Sequence, residues 1–278
     1  MSSIVWLASY PKSGNTWVRA FLQNYLDGAV EPSDINALDK YFADDSKPYW
    51  YERHTDRSIE ELSLHEICRL RTQVHRDIAA SRAGSVIVKT HSYLGAFEGE
   101  SLHEMSVTAG AIYILRNPLD VVISLADHFG LSLDQAIGFL NNPMTGSPTD
   151  EANVASILGS WSDHVESWTK SEGPSLHLVR YEDLILRPVK TFGGIIAFLK
   201  MRRHQKTIKR AIQFSSFREL RQQESRKGFI ERSPASQRFF RSGKKNQWPG
   251  KLSSDQIGAI VQAHRQQMSK FGYLPAGY

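Results

Sequence analysis

The chain holds one cysteine, Cys68, in 278 residues. A disulfide framework is therefore impossible, and a reducing compartment is the expected setting. Cys68 lies in an apolar helical pattern, where a thiol packs more often than it reacts. Long hydrophobic runs are missing as well. No stretch approaches the length of a membrane span. The N-terminus has no basic region, and its apolar run is too short for a secretion signal. The first strand pattern begins almost at Met1, which leaves no room for an anchor or stalk. Together these absences predict a cytoplasmic protein without a stable membrane anchor. No internal repeat or low-complexity tract occurs, which argues against solenoids and arrays. No His/Cys/Asp spacing suits a metal site, so no metal is expected.

What is present points to a globular α/β protein. A length of 278 residues suits one large domain or two small ones, and 41% hydrophobic residues supply a substantial core. The net charge of +5 is unevenly spread. Residues 27–66 carry 11 acidic and 4 basic side chains, while residues 200–251 carry 16 basic and 3 acidic ones. A basic block of that kind fits nucleic acid, a pocket for a multiply charged small anion, or a solvated face. No nucleic-acid reading module accompanies it, so the small anion ranks first and no nucleic-acid partner is expected.

The sequence is organised around Ser9–Trp17. The apolar run Ile4-Val5-Trp6-Leu7-Ala8 reads as a buried strand. Val18, Phe21, Leu22 and Tyr25 follow at i, i+3, i+4 and i+7, a helical stripe that Gly28 can stop. A strand–loop–helix turn aims backbone N–H groups and the positive helix end at the loop. Gly14 permits an unusual backbone angle, Lys12 adds a charge, and Ser13 and Thr16 add hydroxyls. The ligand expected is an anion of phosphate type. The stretch is not a Walker A loop, because Lys12 precedes the only glycine and no Gly-Lys-Ser/Thr holds Mg²⁺.

Further along, residues 29–57 show no regular period and are rich in aromatics, from Tyr41 to Tyr51. Ser58 and Glu61 form a capping-box pattern ahead of a helical stripe running to Ile78. Residues 29–83 therefore read as an insertion between the first two strands. Val86–His91 reads as a strand with polar residues at its end, where open α/β sheets bind ligands. Lys89 and His91 share one face, which makes His91 a candidate for proton transfer. Ala111–Leu115 is the next strand. Asn117 caps the helix after it and Pro118 fits its first position. Ser124, nearly two turns on, returns to the cap's face, so Arg116 and Ser124 can converge on one anion. Residues 141–150 read as a loop and candidate lid, followed by a helix around 154–170. Leu176–Arg180 is a strand, Pro188 begins a helix, and Ser253 with Gln256 caps the last one.

Tyr10-Pro11-Lys12-Ser13-Gly14-Asn15-Thr16-Trp17 closely resembles the 5′-phosphosulfate loop of sulfotransferases that use 3′-phosphoadenosine 5′-phosphosulfate (PAPS). Five more strings, in family order across residues 4–250, agree. Lys89-Thr90-His91 resembles the catalytic strand, which implies His91 as general base and Lys89 as a helper at the leaving phosphate, beside Lys12. Arg116, Asn117-Pro118 and Ser124 match the spacing of the 3′-phosphate site. Tyr181-Glu182-Asp183-Leu184 matches a string whose Tyr lies near adenine. Ser215-Ser216-Phe217 resembles a Thr-Ser-Phe string whose hydroxyl and ring meet the adenosine. Arg241-Ser242-Gly243 resembles an Arg-Lys-Gly string over the 3′-phosphate. Ser242 departs from the usual Lys there, which leaves Lys244 or Lys245 to supply that charge.

The resemblance implies a single α/β domain over residues 1–278, with a central, mainly parallel sheet flanked by helices and residues 29–83 on the acceptor side. It implies a soluble, cytosolic-type enzyme, bacterial in character, that moves a sulfuryl group from PAPS to a hydroxyl, or less readily an amine. The product nucleotide would be 3′,5′-adenosine diphosphate (PAP). The donor would contact Lys12, Ser13, Gly14, Asn15, Thr16, Trp17, Arg116, Ser124, Tyr181, Ser216, Phe217, Arg241, Ser242 and Gly243. The acceptor would be a small molecule, a glycoside or a lipid, and a homo-oligomer is compatible. The readings from other classes are a P-loop nucleotide kinase, a basic nucleotide- or nucleic-acid-binding protein, and a catalytically idle scaffold.

Overall fold

The structure is a computed structural model, and it describes residues 2–28, 30–170 and 176–278. Ala29, where the expected insertion begins, lies outside them. In chain order the elements are β1 (Ser3–Ser9), α1 (Asn15–Asp27), β2 (Phe42–Asp44), α2 (Pro48–Tyr51), α3 (Leu64–Ala80), β3 (Ser85–Thr90), β4 (Ala96–Phe97), β5 (Glu100–Ser101), β6 (Thr108–Leu115), α4 (Pro118–Phe129) and α5 (Leu133–Asn141). The chain continues through β7 (Gly146–Ser147), β8 (Ser156–Ile157), α6 (Trp161–Lys170), β9 (Leu176–Arg180), α7 (Tyr181–Leu186), α8 (Pro188–Phe198), α9 (Gln205–Phe214), α10 (Phe217–Lys227) and α11 (Ser254–Lys270).

Five strands form a mainly parallel sheet in the order β2-β3-β1-β6-β9. β1 is buried from Ile4 to Ser9 on both faces, as a strand inside a helix-covered parallel sheet must be. It pairs with β3 from Ser3↔Ser85 to Ala8↔Thr90. β3 in turn pairs with β2, setting Asp44 opposite Lys89. The expected α/β class is the one observed. None of the helices among the described residues is long and apolar enough to cross a membrane.

The chain divides into two compact units. The first comprises Met1–Tyr10, Phe42–Tyr113 and Phe139–Leu178. Its core gathers Trp6, Tyr51, Ile67, Val74, Val88, Ile112, Trp161 and Val165, all wholly or almost wholly buried. Cys68 is packed there, as its helical setting suggested. The second unit comprises Pro11–Tyr41, Ile114–Gly138 and Val179–Tyr278. In it α1 and α8 pack on α9. A satellite cluster of Ala20, Leu38, Leu220, Phe229 and Phe240 sits under Trp17, Phe217 and Phe239.

Local signals held where the chemistry is local. Gly28 ends α1 in the left-handed region at φ 58°. Asn117 caps α4 by accepting from Leu119 N, with Pro118 in the first turn. Ser253 and Gln256 form a complete capping box on α11.

Three expectations are corrected. The working capping box is Ser63/Glu66 at the start of α3, not Ser58/Glu61. Ser58 makes no side-chain cap and precedes only a 3₁₀ turn, whose Ile59 is drawn into the core. The irregular stretch 29–57 contains the edge strand β2 and the short helix α2. Residues 154–160 are not helical. Ser156 and Ile157 pair with β7, and Gly159 turns at φ +67° before α6 begins.

Candidate active site

In the second unit, α1 starts from Gly14 at φ +110° with no side-chain cap. Its leading N–H groups thus face the loop, where the helix dipole is positive. Glycine is required there. A Cβ at Gly14 would lie 2.8 Å from Tyr181 Cδ2. Ser13 is buried, and its Oγ has no hydrogen-bond partner. Lys12 has φ +65°, and its Nζ stands 3.9 Å above the Phe239 ring. Burial first, and Arg116 second, push its pKa from 10.5 down to about 7.

Arg116 leaves the end of β6 to meet this loop. Its Nη1 donates to the Lys12 carbonyl at 2.8 Å, and its guanidinium lies 4.2 Å over the Tyr181 ring. Its Nε is buried without a partner. Among the described residues neither Lys12 nor Arg116 is in an ion pair, and no hydrogen bond joins Arg116 to Ser124 or Arg241. Ser124 is half-buried on the second turn of α4. Arg241 Nε is 3.7 Å from Asp127 Oδ1.

The other expected donor contacts have structural partners of their own. Asn15 Oδ1 accepts from Arg19 Nε at 3.1 Å. Thr16 Oγ1 donates to Glu231 Oε2 at 3.1 Å, and Arg19 reaches the same carboxylate at 2.7 Å. Trp17 Nε1 donates to Ser215 O at 2.8 Å, tying α1 to the segment before Ser216. Ser216 caps α10 by accepting from Glu219 N. The Phe217 ring packs so close to Gly243, at φ +63°, that any Cβ there would overlap it. Ser242 is half-buried beside it; Lys244 is exposed and Lys245 half-buried.

Two carboxylates that the sequence reading passed over hold the 239–248 segment. Buried Asp120 accepts from Asn246 N (2.7 Å), Gln247 N (2.6 Å) and Trp248 N (3.2 Å). Glu224 accepts from Phe239 N and Phe240 N at 2.6 and 3.0 Å. Asp120 lies three residues after the cap Asn117 on a face that is otherwise apolar. An acid in that setting was the one available signal.

In the first unit, His91 follows directly after β3. Its Nδ1 is 2.7 Å from the Ser9 carbonyl oxygen. A carbonyl only accepts, so Nδ1 carries the proton and Nε2 keeps the lone pair. Lys89, one strand step earlier on the same face, pairs with Asp44 Oδ2 at 2.7 Å. Asp44 Oδ1 accepts from Ser46 N and Oγ, and Ser46 Oγ lies 3.1 Å from Asn153 Oδ1. Burial opposes ionisation of Asp44, but Lys89 and Ser46 hold its carboxyl well below the usual range. A cavity of about 920 Å³ opens beside this region. Its apolar wall includes Leu62, Leu64, Ile67, Tyr93, Phe97 and Ile157. Glu60 and Asp163 are its carboxylates, and among the described residues no Lys, Arg or His lines it.

Known proteins are similar to this chain in sequence and fold. The sulfotransferase domain family matches residues 2–272. Sulfotransferase 1B1 of Canis lupus familiaris is 30% identical over 219 residues, covering 76% of this chain and 64% of that protein. Thus the chain spans just under two thirds of that relative's length. Flavonol 3-sulfotransferase of Flaveria bidentis is 24% identical over 289 residues, covering 97% of this chain and 83% of the other. Among solved structures, mouse sulfotransferase SULT7A1 complexed with PAP superposes with a TM-score of 0.63 at 19% identity, over 98% of this chain and 86% of that one. Retinol dehydratase in complex with androsterone and inactive cofactor PAP gives 0.62 at 17%, over 95% and 80%. This chain belongs to the sulfotransferase domain family.

Proposed function

We propose that the protein transfers a sulfuryl group from PAPS to the hydroxyl of an apolar small molecule. One observation carries the reading. Lys12, the buried Ser13 hydroxyl and the Arg116 guanidinium, two of them with orphaned polar atoms, surround the uncapped start of α1. Buried donors without acceptors are costly, and a nucleotide with a phosphate at each end supplies acceptors to all three, one phosphate to Lys12 and Ser13 and the other to Arg116. Tyr181 and Phe217 offer ring faces against the two glycines that no side chain can replace. These features fit an adenine nucleotide with phosphates at both ends. Two solved structures of similar fold are complexes with PAP, which supports a nucleotide of this kind as the ligand.

The donor, when bound, supplies a sulfuryl group on an anionic leaving phosphate, so the chemistry parallels in-line phosphoryl transfer. Lys12 and the N–H groups of α1 offset the charge that grows on that phosphate. His91 takes the acceptor's proton on Nε2, because Ser9 holds the other nitrogen as a donor. Lys89, kept in place by Asp44, adds a second positive charge. Arg116, with Ser124 and Arg241, is assigned to the 3′-phosphate. We treat residues 1–278 as one catalytic domain acting in a reducing cytoplasm.

The cavity supports an apolar acceptor. Leu62, Leu64 and Ile67 in its wall support the assignment of residues 29–83 to the acceptor side. With two carboxylates and no cation in the lining, an anionic acceptor is disfavoured. Flavonol and 3-beta-hydroxysteroid sulfotransferases, named for ring-bearing hydroxyl compounds, are among the relatives.

The test pairs binding with turnover. Titration with PAP, ATP and an oligonucleotide should show PAP bound most tightly. PAPS with a panel of phenols and sterols should yield a sulfate ester, with or without EDTA. Preference for ATP, together with activity that only Mg²⁺ restores, would make the protein a kinase instead.

A further inference from the structure

The pairing of β3 with β1 stops at Thr90. Beyond Thr90 the backbone carrying His91 leaves the β1 ladder, and Tyr93 N, donating to Ile157 O at 2.9 Å, is its tie to β8. One face of α6 holds the rest, including the His91 peptide itself. His164 Nε2 is 3.0 Å from the His91 carbonyl oxygen. Trp168 Nε1 donates to Ser92 O at 3.2 Å, and Ser167 Oγ accepts from Leu94 N at 3.0 Å. Positions 164, 167 and 168 are neighbours on a helix surface.

The His164 ring is itself held in one tautomer. Its Nε2 faces a carbonyl and must be the donor, so Nδ1 accepts, and Tyr113 Oη donates to it at 2.9 Å. Both residues are completely buried, with rings stacked 5.6 Å apart. Burial pushes the His164 pKa down to about 3, against the bond to His91 O, which raises it, and with a smaller lowering from the charge of His91. Both ring nitrogens are thus engaged, Nδ1 by Tyr113 and Nε2 by the His91 carbonyl, and burial favours the neutral ring. Its only N–H is spent on the peptide of His91. Two apolar side chains would fill the same volume without directing anything; a satisfied buried polar pair specifies one arrangement.

We propose that α6 is the positioning element of His91, with His164 as the positioning residue and Tyr113 as the group that keeps its donor aimed. The inference uses the sulfuryl-transfer reading only in taking His91 as the base. His164 fixes the His91 peptide, Ser9 fixes the ring, and together they leave Nε2 pointing in one direction. A misplaced base loses rate steeply, roughly 10²-fold for a shift of about 1 Å.

The test compares Tyr113→Phe, His164→Leu and His164→Gln with wild type, using His91→Ala to assign the His91 signals. Histidine ¹⁵N spectra at neutral pH should show His91 as the Nδ1–H tautomer in wild type and as a mixture in His164→Leu. With PAPS and 2-naphthol, kcat of His164→Leu should fall roughly 10²-fold while PAP affinity stays unchanged. Gln places an amide N–H near the former Nε2 and should recover most of the spectrum and of kcat, which a loss of packing alone would not predict. Tyr113→Phe should shift both readouts in the same direction by less. An unchanged spectrum and kcat in folded His164→Leu, or a Gln variant no better than Leu, overturns the proposal. If His164→Leu does not fold, Tyr113→Phe decides, and wild-type behaviour there overturns it. Equal turnover by wild type and His91→Ala would instead refute His91 as the base, with the spectra still reporting on the positioning.

Discussion

Asp44 Oδ2 and Lys89 Nζ lie 2.7 Å apart at the ends of two paired parallel strands, in direct register. Both side chains are mostly buried, so the pair is weakly screened by salt. The same carboxylate accepts from Ser46, whose Oγ lies 3.1 Å from Asn153 Oδ1, two residues before the cavity-lining Ala155. Asp44 therefore links the charge on Lys89, through Ser46, to Asn153.

Asp44→Asn keeps an oxygen for Ser46 and removes the charge facing Lys89. We expect turnover to fall by about 10-fold or more, on the scale of a lost electrostatic contact in a site of this kind, with PAP affinity unchanged. The sign of the pH effect follows from the depressed carboxyl. Its stabilisation is fully present above the unfolded value of 3.8 and is lost as pH falls through the lower folded value. Acid unfolding of Asp44→Asn should therefore depend less steeply on pH below 4, as followed by circular dichroism. Identical acid curves and rates would make the pair incidental.

Lys12 should couple donor binding to protons. In the free protein burial and Arg116 bring its pKa to about 7. A bound dianion favours the charged amine and raises that value. Above pH 7, PAP binding should take up a proton and weaken as pH rises, which calorimetry in two buffers of different ionisation enthalpy measures. Lys12→Arg should flatten the dependence, since guanidinium stays charged. Without ligand, the unfolded chain holds the extra proton between about 7 and 10.5, so stability should rise with pH across that window.

Arg116 should set the preference for a 3′-phosphate. A planar fork suits a dianion better than a ribose hydroxyl. Wild type should strongly prefer PAPS to adenosine 5′-phosphosulfate. Arg116→Ala should erode the preference by weakening PAPS, leaving the poorer donor little changed in kcat/KM at fixed salt. Equal loss for both donors would place Arg116 in the fold or at the shared phosphosulfate.

Asp120 should govern the segment that carries Arg241 and Gly243. Asp120→Asn turns an amide N–H toward three backbone donors, and leaving such groups unpaired costs about 1–3 kcal/mol. Thermal unfolding should fall accordingly, and PAP should bind more weakly. A normal Tm with normal affinity would mean that Glu224 anchors the segment alone.

The strand–loop–helix at Ser9–Trp17, the cap at Asn117, the capping box at Ser253 and the α/β class are legible in the order of residues alone. Each rests on contacts within a few residues, where spacing dictates geometry. Tertiary structure decided the rest. Ser58/Glu61 and Ser63/Glu66 carry the same local pattern, and only the burial of Ile59 selects the second as the start of α3. Ser156-Ile157 could continue a helix on propensity, but pairing with β7 makes it a strand. The partners of the expected site residues are equally remote: Asp44 for Lys89, Ser9 and His164 for His91, Glu231 for Thr16. Separations of 45 to 215 residues leave no periodic trace in the chain. Such contacts form only when the sheet brings strand ends together, because closing loops of that length is favourable only as part of the whole packed core.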